Sequence, residues 1–360
     1  MILSAMLVLS SAAPAFGQQP ADWTFRAGGV LSPNAGIPFM SQSVGSPAVT
    51  YDTLHNQFFM VFESRTPTVD ARCPQGVWAL GAATSPDGIN WTPIATPVLE
   101  PTPGNGRFFS CVAAHPTAIF SPTAYPGGGI LVFFKSEQDN AACGGGVNPS
   151  WGCDVLTGFG RLQIELAAAT GLPRRVFLRS TPSFKPTTAT FGYPKLLQVG
   201  LEYELLYQGY PDIWATQSLS LNGIGVGAPE IELTTYNASV NWVADEFYSP
   251  SLVCGADATY PYEAFVGGRD TNAGVILSGG WGKAIDDTWG GATQFLLDVT
   301  AQQTYVGDSA FRHLDVTHLT TDEYLVWFSE RDNSGNSFIR FGGTNNMVFN
   351  NADVESKICP

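Results

Sequence analysis

Charged residues gather in this chain at the ends of short aromatic-rich segments. FFMVFESR (58–65) closes on Glu63 and Arg65, ILVFFKSEQD (130–139) on Glu137 and Asp139, YEAFVGGRD (262–270) on Arg269 and Asp270, and YLVWFSERD (324–332) on Glu330, Arg331 and Asp332. The matching segment YELLYQG (203–209) ends on neutral Gln208. Only 13% of the chain is charged, so this grouping stands out from its background. Carboxyl groups held close together titrate apart through mutual repulsion and unequal burial, leaving one protonated while another is ionised. Such a set can donate a proton to a leaving group and supply a base or nucleophile to the same bond. The candidate catalytic acids are, in order, Glu63, Glu330, Asp270, Glu137 and Glu246, the last of which follows Asp245 ahead of another strand. The competing reading for each is an ion pair tying neighbouring elements together. It is strongest for Glu330 beside Arg331, because successive strand residues face opposite sides.

A second set of residues recurs about ten positions ahead of each aromatic segment. Ser46-Pro47-Ala48-Val49, His115-Pro116-Thr117-Ala118, Tyr193-Pro194-Lys195-Leu196, Ser249-Pro250-Ser251-Leu252 and His313-Leu314-Asp315-Val316 open five strands. In an antiparallel pair the start of one strand lies beside the end of the next, which brings these residues to the face that carries the acids. Ser46, His115, Tyr193, His313, Arg65 and Arg269 are therefore the candidate substrate contacts. His55 and His318 fall at the opposite ends of their strands. A third element follows in several repeats, at Ala82-Ala83-Thr84, Ala168-Ala169-Thr170, Ala215-Thr216 and, more weakly, Gly343-Thr344. Irregular repeat spacing with a constant strand order suits sheets that carry loop insertions. Short strands between Gly, Pro, Asn and Asp turns, with almost no helical period, predict an all-β chain: a five-bladed β-propeller of four-stranded antiparallel blades. The segment 162–169 is read as strand. The last blade closes either with 23–30 or with the C-terminal strand through Val348.

Composition supports this and excludes much else. The 360 residues include 39 Gly and 25 Pro, with 23 Phe, 12 Tyr and 9 Trp, enough apolar surface for a large core and too turn-rich for a coiled coil. The net charge of −14 repels phosphate backbones and anionic headgroups, so no nucleic acid and no membrane is expected as partner. A neutral polar ligand such as a poly- or oligosaccharide fits better, bound by a monomer. Residues 1–17 read as a secretory leader, with an apolar run and a small-x-small site ending at Gly17, although no Lys or Arg precedes the run. The rest, 18–360, reads as one domain, secreted or periplasmic. Six cysteines suit an oxidising compartment; Cys143 and Cys153, flanking a Gly-rich loop, are the expected local bridge. No zinc spacing, nucleophile elbow or phosphate-binding loop occurs. No cofactor and no resident metal is expected, with room left for a channel-bound cation such as calcium. Ser85-Pro86-Asp87-Gly88-Ile89-Asn90-Trp91 reads as a tight turn with Trp91 packed on its sheet.

The segments SPAVTYD (46–52), FFMVFESR (58–65) and LGAATSPDGINWT (80–92) resemble the secreted five-bladed propeller glycoside hydrolases, among them the arabinanase/xylosidase family 43, the invertase-like families and the mannoside phosphorylase family 130. The resemblance implies cleavage of glycosidic bonds by carboxylates around the mouth of a central channel. It also implies a base Asp before the Pro of the first opening strand and an acid Glu two residues before a later one. Here Ser46, His115, Tyr193 and Ser249 precede the prolines, and Gly45, Ala114, Gly192 and Tyr248 stand two before them. The resemblance thus carries over fold and site location and no catalytic residue by identity. The expected function is a secreted glycoside hydrolase, with a non-catalytic carbohydrate-binding propeller or an extracellular interaction protein as the alternative.

Overall fold

The computed structural model describes residues 24–74, 76–138, 158–186, 191–209, 212–222, 224, 230–233, 246–257, 260–270, 275–285, 288–289, 294–298, 312–321, 323–331, 337–344 and 347–359. In the fourth repeat the description is mainly of backbone. Residues 1–17, expected as a leader, the loop from Cys143 to Cys153, Asp139, Asp245 and Asp332 lie outside these residues.

The chain is all β apart from two short 3-10 turns among the described residues, at Pro38–Met40 and Asn351–Asp353. A short strand, β1 (Thr24–Phe25), precedes five antiparallel meanders. The first holds β2 (Ser43–Asp52), β3 (Gln57–Arg65), β4 (Trp78–Ser85) and β5 (Thr92–Pro93), and the second β6 (Val112–Ser121), β7 (Gly129–Glu137), β8 (Gly158–Leu166) and β9 (Pro173–Leu178). The third holds β10 (Phe191–Val199), β11 (Glu202–Gly209), β12 (Asp212–Ser218) and β13 (Glu230–Leu233). The fourth runs from β14 (Glu246–Asp257) and β15 (Tyr260–Asp270) to β16 (Val275–Ile285), which pairs with both β17 (Thr288–Trp289) and β18 (Gln294–Asp298). The fifth is β19 (Arg312–Leu319), β20 (Glu323–Arg331) and β21 (Ser337–Gly343), completed by β1 on β21. It is the N-terminal segment, then, that closes the last sheet. A final strand, β22 (Ile358–Cys359), runs parallel to β10 instead. Residues 168–170, expected in a third strand, form the turn after β8.

Both faces of the second strands are buried, which is why they read as unbroken apolar runs. Phe59 and Val61 of β3 pack with Val132 and Phe134 of the second meander, while Phe58, Met60 and Phe62 pack with Trp327 and Phe341 of the fifth. Phe133 and Phe159 meet Leu196 and Tyr207 of the third, and Phe265 of the fourth meets Val326 and Phe328. Apolar surface removed from water, at about 25 cal/mol per Å², thus seals the first meander to the second and the fifth, the second to the third, and the fourth to the fifth.

The first strands neighbour one another in the order β2, β6, β10, β14, β19 and back to β2. Side chains two places beyond each opening residue stitch them together. Thr117 Oγ1 accepts from Leu196 N at 3.1 Å, Ser251 Oγ from Val316 N at 2.9 Å and Asp315 Oδ2 from Val49 N at 2.6 Å. Ala48 holds that place in the first meander and cannot accept, and Thr50 Oγ1 substitutes by accepting from Phe120 N at 3.1 Å. In the third meander the place belongs to Lys195, whose ammonium reaches Asp315 Oδ1 at 3.2 Å.

The C-terminal segment crosses the far ends of these strands. Val354 bridges Leu319, Glu355 meets His318 Nδ1 at 2.8 Å, and Cys359 is bonded to Cys254. Lys357 Nζ lies 2.8 Å from both oxygens of the fully buried Asp315. A second disulfide, Cys73–Cys111, ties the loop after β3 to the start of β6. Among the described residues no helix is long and apolar enough to cross a membrane.

Candidate functional site

The five strand-opening residues share one backbone peculiarity. Ser46, His115, Tyr193, Ser249 and His313 have φ of 44°, 47°, 51°, 49° and 59°. Left-handed geometry costs a non-glycine residue about 1–3 kcal/mol, and four of the five precede proline, whose ring pushes the preceding residue toward extended conformations. At each, two residues oppose one on the partner strand, between Gly45 and Ala48, Ala114 and Thr117, Gly192 and Lys195, Tyr248 and Ser251, and Arg312 and Asp315. These are β-bulges, and each redirects a strand end.

The register identifies what faces the bulges. Gly45 pairs with Glu63, Ala114 with Lys135, Gly192 with Gln208, Tyr248 with Gly267 and Arg312 with Ser329. The structural equivalents of Glu63 are therefore Lys135, Gln208, Gly267 and Ser329. Glu63, on the face of Val61, reaches the second meander and accepts from His115 N at 3.0 Å through Oε2. Ser329, on the face of Trp327, does the same for the first meander, where Ser46 N donates to its Oγ at 2.7 Å.

Five of the expected residues converge here: Glu63, His115, His313, Ser46 and Tyr193. The His115 and Tyr193 rings stack with centroids 3.9 Å apart, and His313 lies 5.1 Å from the first and 4.9 Å from the second. His313 Nδ1 is hydrogen-bonded with Ser46 Oγ at 2.6 Å, and its Nε2 lies 3.2 Å from the Tyr193 hydroxyl. Glu63 is only 4% exposed; its Oε1 lies 3.6 Å from His313 Nδ1 and its Oε2 3.7 Å from His115 Nε2. Ser46 and Glu63 approach the same nitrogen of His313, so they do not form a serine–histidine–acid relay, which needs both ring nitrogens. Burial, then the positive charges of His313, Lys135 and Lys195, push the His115 imidazole well below its ordinary range, leaving it neutral at pH 7. The glycines two places before the prolines make room: a Cβ on Gly192 would stand 3.1 Å from His115 Nδ1, and one on Gly45 3.4 Å from Glu63 Oε1.

The other expected residues lie elsewhere. Glu330 is one place beyond Ser329, and a one-residue step reverses the face. It follows Val326 and Phe328 and forms a 2.7 Å ion pair with Arg340 rather than with Arg331. Burial raises its carboxyl, with Arg340 opposing. Glu137 is two places beyond Lys135 and is paired with its ammonium at 2.8 Å. Arg65 is exposed, its guanidinium 5.8 Å from the centre of the Trp78 ring. The backbones of Glu246 and Arg269 pair with each other and Asp270 pairs with Val275, while the side chains of these three lie outside the description. Sequence reasoning missed Lys135, Ser329, Lys195 and the role of Asp315. Counting back across each hairpin from the bulge would have found the first two.

No family model matches the chain, and no curated protein sequence matches it. Solved structures do. A Parabacteroides distasonis protein provisionally described as a glycoside hydrolase is 12% identical, with a TM-score of 0.61 over 91% of this chain and 97% of that one. A family 130 structure, from work on glycoside hydrolases that target β-1,2 mannosidic linkages in Candida mannan, is 11% identical, with a TM-score of 0.59 over 91% and 95%. A thermostable family 43 glycoside hydrolase is 13% identical, with a TM-score of 0.57 over 88% and 93%. The resemblance to the propeller glycoside hydrolases read from the first sheet therefore holds at the level of fold.

Proposed function

We propose that the chain is a five-bladed β-propeller that hydrolyses a poly- or oligosaccharide at the channel mouth ringed by the five bulges. The observation that carries the reading is Glu63. Its carboxylate lies against the bulge residues, 3.6 Å from His313 Nδ1 and 3.7 Å from His115 Nε2, whereas Glu137 and Glu330 point to Lys135 and Arg340. In this reading Glu63 is the ionised base or nucleophile, oriented by His115 N. The proton donor is Glu246 or Asp270 of the fourth blade. Ser46, His115, Tyr193 and His313 contact sugar hydroxyls. The five-part bulge, the cyclic order of first strands and the likeness to glycoside hydrolase structures support the architecture. The two described disulfides support an oxidising compartment and a secreted or periplasmic location, in which residues 1–17 serve as the leader and 18–360 form the single mature domain of this reading.

A second reading, a propeller that binds carbohydrate without cleaving it, draws on Ser46 at the family's base position and on the neutralisation of Glu137 and Glu330. Incubating the mature protein with arabinans, xylans, mannans, fructans and microbial wall polysaccharides and assaying new reducing ends separates the two. Product that disappears in Glu63→Gln supports hydrolysis. Saturable binding without product on any of these, from folded protein, supports the binding module.

A further inference from the structure

We infer that Glu63, His115 and His313 form a binding site for a borderline divalent cation of the zinc class. Three observations carry this. One carboxylate and two imidazoles, contributed by three different meanders, place ligand atoms that all lie within 4.8 Å of one another. The separations, 3.6 Å from Glu63 Oε1 to His313 Nδ1 and 3.7 Å from Glu63 Oε2 to His115 Nε2, are too long for hydrogen bonds. They are close to the edges of a tetrahedron around an ion with bonds of about 2.0–2.1 Å, which are about 3.4 Å. Second, the buried His115 Nδ1 has no hydrogen-bond partner. An imidazole with neither nitrogen in a protein hydrogen bond is an unusual resident of a folded interior, and a ligand on Nε2 accounts for its placement. Third, both histidines sit at bulge positions whose left-handed backbone is shared by all five opening residues, so the fold fixes where their rings start independently of any ion.

The donor set selects the ion. Two nitrogens and a single carboxylate suit zinc, cobalt, nickel or iron, whereas calcium takes six to eight oxygen ligands. Ser46 Oγ, hydrogen-bonded to His313 Nδ1 at 2.6 Å, yields that nitrogen when the ion binds. Three protein ligands leave a coordination position for water or a hydroxyl of a bound sugar. The site concerns ion binding alone: an ion on Glu63 takes up the carboxylate that the hydrolase reading uses as base, so the two are alternative states of the same residues, and the ion site holds equally for a binding module.

The test uses the mature chain freed of metal by a chelator and titrated with Co²⁺, following the visible d–d absorption. Zn²⁺ then competes, and no glycan is present. The expected result is one equivalent of Co²⁺ displaced by Zn²⁺, with affinity falling at least 100-fold in His115→Ala and His313→Ala and about 10- to 100-fold in Glu63→Gln. Circular dichroism checks that each variant is folded. Should the histidine variants unfold, the wild-type melting temperature serves instead, expected to rise with Zn²⁺ and not with equimolar Ca²⁺. Absence of a stoichiometric Co²⁺ band, binding unchanged in the folded variants, or displacement of Co²⁺ by equimolar Ca²⁺ overturns the inference. Hydrolysis by metal-free protein that binds no Co²⁺ removes this site and leaves the hydrolase reading intact; Co²⁺ binding without hydrolysis of any glycan does the reverse.

Discussion

Replacing Asp315 by Asn should destabilise the protein more than any change at the candidate site. The carboxylate is fully buried and accepts from Lys357 Nζ at 2.8 Å on both oxygens, from Lys195 Nζ at 3.2 Å and from Val49 N at 2.6 Å. At an effective dielectric constant of about 20, unit charges 2.8 Å apart attract by about 6 kcal/mol, much of which desolvation cancels. Asparagine keeps an oxygen for Val49 N and removes only the charge, leaving two buried ammonium groups without a counter-ion. Burial already holds the Lys195 ammonium below its usual range, with Asp315 opposing that shift. Breaking such a buried cluster on one side costs about 3–5 kcal/mol. For a chain of this size that is about 4–7 °C in Tm. Lys357→Met should cost less, because Lys195 still neutralises Asp315, and the double variant should be more stable than the sum of the singles predicts. Calorimetry on the wild type, both singles and the double reads this directly. An Asp315→Asn protein within about 1 kcal/mol of wild type would refute the view that this cluster locks the ring of first strands.

Further outcomes follow from the same geometry. Glu63→Gln should lower hydrolysis by about 100-fold or more with little change in melting temperature, as expected for an acid–base group. Glu330→Gln should do the opposite, leaving activity within a few-fold while costing about 3 kcal/mol through the stranded Arg340, and steady-state kinetics with melting curves separates the two. Asp87 accepts from Asn90 N at 2.7 Å and Ile89 N at 2.9 Å. Burial alone would raise its carboxyl, but the Asn90 and Ile89 amides with the Asn90 and Ser85 side chains outweigh that and hold it at about 2. Its folded value is depressed, so its contribution is present above pH 4 and fades as the pH falls toward 2. Asp87→Ala should cost about 1–2 kcal/mol at pH 7, after allowance for partial exposure, and almost nothing near pH 2. Cys254→Ser with Cys359→Ser should cost about 2–5 kcal/mol, read as lost melting temperature under non-reducing conditions.

The recurrence of an opening residue, usually before proline, located the ring of bulges in the sequence, and His115, His313, Ser46 and Tyr193 followed from it. What the sequence obscured was register. The acids were matched by their position at the ends of aromatic runs, but hairpins of unequal length slide those ends relative to the bulge. Glu330 therefore fell one step out, onto the opposite face, and Glu137 two steps out, beyond Lys135. The charged residues inside first strands, Lys195 and Asp315, carried their own signal: an ionisable side chain in a buried strand demands a partner. The Asp87 turn was legible because its chemistry is local, with Trp91 Nε1 donating to Gly88 O at 2.9 Å as tight-turn packing requires. Closure of the last sheet was not, because two chain segments matched its pattern equally well.

That closure gives the amino end of the domain an unexpected protective role. Thr24 and Phe25 cover the outer border of β21, pairing with Gly343 and Gly342, and Phe25 lies edge-on to Phe328 at 5.6 Å. The absence of a side chain at Gly342 is what admits that ring, since a Cβ there would fall 2.5 Å from it. A chain clipped beyond Phe25 would keep its interior sheets and the pairing of Leu31 with Ile339, yet leave the Gly342–Gly343 end of β21 with an uncovered edge, a short template for the same strand of another molecule. Trimming a few residues from one end would thus register first as self-association, with the interior still folded.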